Sequence, residues 1–206
     1  GAFPQTIKDE VNDWVDRVLA DMKAHKDDFP YWVQKGWMSQ NTADYYIKYG
    51  GFKVKKSYAY AAVQAEVKAL TPLQYGDLSD ILEGATRGKI RCGIGHGGGS
   101  YWTTRTYNGI DWGLGTEAFA EMTSATMTSP ESLATIKKYL PKSYAMYEDM
   151  LKVIANQYKQ AKFDAKVWNP EHDDREITSV VVTGMGGSAL AALMVKVLLN
   201  QELTIP

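Results

Sequence analysis

Cysteine is almost missing: Cys92 is the single one among 206 residues. An internal disulfide and a cysteine-rich zinc site are thereby excluded, and a reducing compartment is the natural setting. Histidine is scarce as well, with three in the whole chain. Neither sign of charge is in excess, since 23 basic residues stand against 24 acidic ones for a net charge of -1. They are spread along the chain, so no surface for nucleic acid or an anionic membrane is expected. Lys53, Lys55 and Lys56 make one short basic run, which reads as a solvated face. No apolar run approaches the roughly eighteen residues of a membrane span. Lys8, Asp9 and Glu10 occupy the place where a signal peptide would be apolar, and a cytoplasmic protein is the expectation.

Apolar residues make up 45% of the chain and charged residues 23%, the proportions of a folded globular protein. Thr6 with Asp9 marks a helix start, and Val11, Trp14, Val15, Val18, Leu19 and Met22 then recur at the spacing of one helical face. Pro30 interrupts. Tyr31, Trp32, Trp37, Tyr45, Tyr46 and Tyr49 follow as an aromatic stretch, read as core, with a short helix from about Thr42. The alanine-rich segment from Ser57 to Leu70 predicts a second strong helix, ended by Pro72. Asp77 then caps a short helix that turns Leu78, Ile81, Leu82 and Ala85 inward and stops near Gly84 to Gly88.

Between Lys89 and Gly115 the periodicity vanishes and eight glycines appear, with His96, Ser100, Tyr101, Trp102 and Arg105 among them. A long glycine-bearing loop on a helical scaffold is a favoured place for function, and this one has room for a short hairpin. Helix resumes at Thr116, restarts at Ser129-Pro130 and runs to about Tyr139. A last long helix follows Pro141, reaching about Ala165, with the first helix as its expected partner.

Beyond the polar turn from Asn169 to Asp174, the β-branched run Ile177 to Thr183 predicts a buried strand. Gly184-Met185-Gly186-Gly187-Ser188 then turns the chain into a helix from Ala189 to Asn200. Such a turn aims backbone amides and a helix dipole at one point where a phosphate can sit, so Gly184, Gly186, Gly187 and Ser188 are the expected anion site. The spacing matches neither the Walker loop nor a full dinucleotide fingerprint. The fold class expected is therefore mainly α, with a helical domain over 1–157 and a strand, glycine turn and helix of α/β type over 158–206.

Glu117 and Glu121, four apart on one helical face, can offer two carboxylates to a metal, a water or a basic partner. A solvated face is the plainer account of such a pair. His96 is sterically open among its glycines, and if its loop folds over that helix, His96, Glu117 and Glu121 can bind a divalent metal, zinc above all, or do acid-base work. The structural alternative is a histidine that bonds the backbone and pins the loop.

Thr116 to Met122, followed by Lys137 to Tyr144, resembles the closing helices of the anthrax lethal factor family of zinc peptidases. That resemblance implies a zinc ligand at Glu117. It also requires an upstream helix with two histidines four apart, and the corresponding segment, Tyr75 to Ala85, contains no histidine. Over about residues 29–151, the succession Leu78-Ser79-Asp80-Ile81, Gly84 to Lys89, Gly95-His96-Gly97, Ser100-Tyr101-Trp102 and the glutamate helix resembles the carboxy-terminal domain of phage minor head proteins. What it implies is a virion-associated structural or partner-binding domain, with other head components or another chain as partners. Residues from about Tyr158 to Pro206 resemble the start of the sugar isomerase domain of bifunctional phosphoglucose and phosphomannose isomerases, in Gly184 to Ala189 and in Glu202 to Pro206, which implies a sugar phosphate as the anion held at Gly184, Gly186, Gly187 and Ser188. The acid-base residues of that family lie downstream of the segment matched, so isomerase activity is not expected. Two likenesses of unrelated kind in one chain imply a fusion, natural or engineered, or a truncated reading frame.

Overall fold

Helix α1 (Ala2–Ala24) is the long spine of the fold, and the reason is visible in its buried stripe of Ile7, Val11, Trp14, Val15 and Met22. The computed structural model describes residues 1–97 and 99–160. Among these, α1 is followed by α2 (Phe29–Gln34), α3 (Gln40–Tyr49), α4 (Lys56–Lys68) and α5 (Pro72–Thr86). A single turn, α6 (Gly99–Thr103), and a hairpin of β1 (Thr106–Tyr107) and β2 (Ile110–Asp111) lead into α7 (Trp112–Thr128), α8 (Pro130–Tyr139) and α9 (Pro141–Gln160). The described residues are mainly α with one small antiparallel sheet, as expected. No helix among them is long and apolar enough to cross a membrane. The strand, the Gly184 to Ser188 turn and the final helix expected over 177–200 lie outside the described residues.

Caps set most of the boundaries, and three helix starts differ from expectation. Helix α1 begins at Ala2, four residues before Thr6, because Phe3 and Ile7 extend its apolar stripe into the core. Helix α5 starts at Pro72, not at Asp77: Thr71 and Gln74 exchange hydrogen bonds in a capping box, and proline at the first turn loses no intrahelical bond. Helix α7 starts at Trp112, ahead of Thr116, since the Asp111 carboxylate accepts from the Leu114 amide at 3.1 Å and carries the helix through Gly113 and Gly115. The expected start at Ser129-Pro130 is present, with the Ser129 hydroxyl accepting from the Ser132 amide. The hairpin turns on Asn108 and Gly109, both at positive φ (49° and 71°), which is the Asn-Gly requirement of a tight two-residue turn.

The aromatic stretch divides. Trp32 is fully buried, edge-on to Trp37 and Phe52 at 5.4 and 4.8 Å. Tyr45 and Tyr49, expected in the core, are instead exposed on α3, whose only buried residue is Ala43. Lys53, Lys55 and Lys56 are exposed, as read from sequence.

Helix α9 packs against α1, as expected, and α4 lies on α1 as well. The centre of the fold is α5, which contacts α7 and α8 most extensively and is buried continuously from Leu78 to Gly84. Gly84 makes that possible, because a Cβ there would stand 2.8 Å from the Trp102 ring and 3.1 Å from Leu114. Trp102 itself is fully buried. Gly84→Ala is therefore expected to destabilise the fold by about 1–2 kcal/mol, the overpacking penalty exceeding the helix-propensity gain of about 1 kcal/mol. Chemical denaturation with tryptophan fluorescence reads both the loss and the displacement of Trp102.

Candidate metal centre

One face of α5 carries Leu78, Ile81, Leu82 and Ala85, and the opposite face carries Asp77, Asp80, Glu83 and Gly84. The second face is polar yet not solvated. Asp80 and Glu83 are 4% and 3% exposed, because α7 and the glycine loop cover them. A buried carboxylate is informative in a way that an exposed one is not.

The loop enters over this face through Cys92, Gly93, Ile94 and Gly95. The Ser79 hydroxyl donates to the Ile94 carbonyl, tying the loop to α5. Gly95 must be glycine, since a Cβ there would overlap the Glu83 carboxylate and lie 3.4 Å from Asp80 Oδ1. His96 is thereby set above Asp80. Its ring stacks on Tyr101 of α6, with centroids 4.2 Å apart, and stands edge-on to Trp102.

His96 Nε2 lies 3.2 Å from Asp80 Oδ2 and 3.4 Å from Glu117 Oε2. Glu117 reaches the same point from α7, with its other oxygen engaged: Oε1 accepts from Tyr101 Oη and from Arg105 Nη1, each at 2.6 Å. Arg105 also bonds the Tyr101 hydroxyl. The result is one ligand atom each from Asp80, His96 and Glu117, all within 4.8 Å of one another. For bonds of about 2.0–2.1 Å, the edge of a zinc tetrahedron is about 3.3 Å, close to the 3.2 and 3.4 Å that separate His96 Nε2 from the two carboxylate oxygens. Asp80 Oδ1 is buried and has no hydrogen-bond partner among the described residues. The His96 side chain, 38% exposed, leaves one side of the centre open.

The three carboxyls nearby are set apart by their surroundings. Burial pushes Asp80 up to about 6, with Glu117 and Glu83 adding to the rise and His96 opposing it. Burial acts on Glu117 in the same sense, but the Tyr101 and Arg105 hydrogen bonds outweigh it and hold that carboxyl below its ordinary range. Burial and a hydrogen bond with Asp77 push Glu121 up to about 8. Asp77 is in turn held by the Ser132 hydroxyl, at 2.5 Å.

The expected trio of His96, Glu117 and Glu121 is thus brought together in two of its members. Glu121, one turn further along α7, is engaged with Asp77 and is not one of the three converging ligands. Asp80 takes that place. It stands on α5, and the alternation of Asp77, Asp80 and Glu83 with apolar residues hid it, because such a pattern ordinarily means a solvated face. Cys92 is buried and burial pushes its thiol up, so it is inert here. Gly184, Gly186, Gly187 and Ser188 lie outside the described residues.

Glu121 carries a pH prediction. Its carboxyl titrates near 8 in the folded protein and at the ordinary 4.5 when unfolded. The folded state therefore holds the proton more tightly, and the stabilisation is complete below pH 4.5 and lost as pH rises through 8. Metal-free protein should lose melting temperature steadily across that window, and Glu121→Gln, which cannot ionise, should flatten the decline.

No protein-family model matches the chain, and no match to it was found among curated proteins or solved structures, so its chemistry is read from this geometry.

Proposed function

We propose that Asp80, His96 and Glu117 form a divalent-metal centre of the zinc type, and that the protein uses it for hydrolysis. The observation that carries this reading is the imidazole nitrogen placed 3.2 and 3.4 Å from carboxylate oxygens on two different helices. One Nε2 hydrogen cannot serve both carboxylates well, whereas one cation satisfies all three groups on a face where Asp80 Oδ1 is buried with no hydrogen-bond partner among the described residues. The donor set of one nitrogen and two oxygens, with an open side, is that of a catalytic site more than a structural one. When bound, such a metal lowers the pKa of its water to about 7 and makes it a nucleophile. The chain's own residues orient and balance charge. Tyr101 and Arg105 fix the Glu117 carboxylate so that Oε2 alone faces the centre, and Glu121, raised by burial and its hydrogen bond with Asp77, adds no further negative charge beside it at neutral pH.

Zinc titration with elemental analysis tests this. One equivalent per chain is expected, with affinity falling more than about a hundredfold in Glu117→Gln, beyond the loss that follows removal of a supporting residue, and with metal-dependent ester hydrolysis lost alongside. A chain that takes up no zinc at neutral pH overturns the proposal and leaves a structural domain, the role implied by the likeness to phage minor head proteins.

A further inference from the structure

The loop that presents His96 also walls a concave pocket of about 520 Å³. Lys68 of α4, with Lys89 and Arg91 at the start of the loop, supplies three cations to its lining, and Glu83 supplies one carboxylate. None of the three cations forms an ion pair among the described residues. Elsewhere in the chain cations do find partners, as Lys8 does with Asp111 and Lys56 with Asp16. Gly93 and Gly97 leave bare backbone on the same wall, with open space where a Cβ would stand. The Arg91 amide donates to the Gln64 side chain at 2.7 Å, fixing this wall to α4.

Three cations against one carboxylate leave a surplus of two positive charges. A phosphomonoester, carrying about 1.5 to 2 negative charges at pH 7, neutralises that surplus, and a single carboxylate does not. The volume suits a small molecule, within the roughly 300–1,000 Å³ of ligand sites. Gly95 joins the pocket to the metal centre: it lines the one and abuts both Glu83 and Asp80 at the other.

Resting on the metal-centre reading for its chemistry, we infer that this pocket binds the phosphoryl group of a small phosphorylated substrate and delivers its neighbouring bond to the Asp80, His96 and Glu117 centre. The reaction class is hydrolysis of an ester bond beside the phosphoryl group: the oxygen of water bonds the acyl carbon, the C–O bond to the alcohol breaks, and the alcohol departs carrying the proton that water gives up.

Isothermal titration of the full chain with phenyl phosphate and with acetate, at low salt, tests the binding. Phenyl phosphate should bind and acetate should be at least about tenfold weaker. Lys68→Ala with Arg91→Ala should lower phenyl phosphate affinity at least about tenfold while zinc uptake is unchanged. Equal binding of acetate, or phenyl phosphate affinity that survives the double variant, overturns the inference; the latter places the anion elsewhere, such as at Gly184 to Ser188. Zinc uptake without phenyl phosphate binding removes the pocket and keeps the metal centre. Phenyl phosphate binding without zinc uptake removes the metal centre, and with it delivery to a hydrolytic site.

Discussion

Asp80→Asn should make the metal-free protein more stable and the zinc-loaded protein less so. Asn keeps the shape of the side chain and removes a charge that is 4% exposed, with one oxygen unpartnered among the described residues. A buried charge that is only partly compensated, here by the half-open His96 at 3.2 Å, costs free energy, and removing it should raise the metal-free melting temperature by about 3 °C, the equivalent of about 1 kcal/mol in a chain of this size. The same change deletes one of three ligands. Zinc affinity should drop about a thousandfold, more than the roughly 10–100-fold that follows loss of a residue that merely supports a ligand. A ligand that binds only the folded state stabilises it by mass action, so saturating zinc should lift the wild type well above the variant. Thermal melts of both proteins with zinc and with chelator check this. An unchanged order of stabilities in the two conditions would refute a metal role for Asp80.

The second large effect is purely structural. Glu10 of α1 is buried and closes the amino-terminal end of α9, 132 and 133 residues away in sequence. Oε1 accepts from the Lys142 amide at 2.8 Å, and Oε2 accepts from the Ser143 amide at 2.7 Å and its hydroxyl at 2.5 Å. The carboxylate thus satisfies amides that a helix start leaves open, and it meets the positive end of the helix dipole. Glu10→Ala strands two buried donors and should destabilise by about 3 kcal/mol. Glu10→Gln retains one acceptor oxygen and should cost about half as much. Urea denaturation of the two variants separates them, and equal losses would mean that packing, not the acceptor atoms, matters at this position.

The two effects differ in kind. Glu10 is a buried carboxylate whose partners are all present, so it locks α1 to α9. Asp80 is a buried carboxylate with one oxygen unpartnered among the described residues, which is why the proposed metal centre is built on it.

Much of the frame was legible in the linear string, for a local reason. The stripe from Val11 to Met22, the proline-marked starts at Pro130 and Pro141, and the inward set Leu78, Ile81 and Leu82 follow from periodicity and capping, which act within a few residues. His96 and Glu117 were likewise marked locally, a histidine among glycines and a glutamate with a second one four residues on along the same helical face. Four things depended on contacts far apart in sequence. The polar face of α5 is buried only because α7 and the loop lie on it, which makes Asp80 a candidate ligand. Glu121 is drawn away because Asp77 is close to it across the α5 and α7 packing. Tyr45 and Tyr49 are exposed because nothing among the described residues covers that side of α3. Lys68 meets Lys89 and Arg91 because the loop returns to α4. Helices announce themselves through neighbours three and four residues away, whereas a binding centre is assembled from side chains that only the folded chain brings into register.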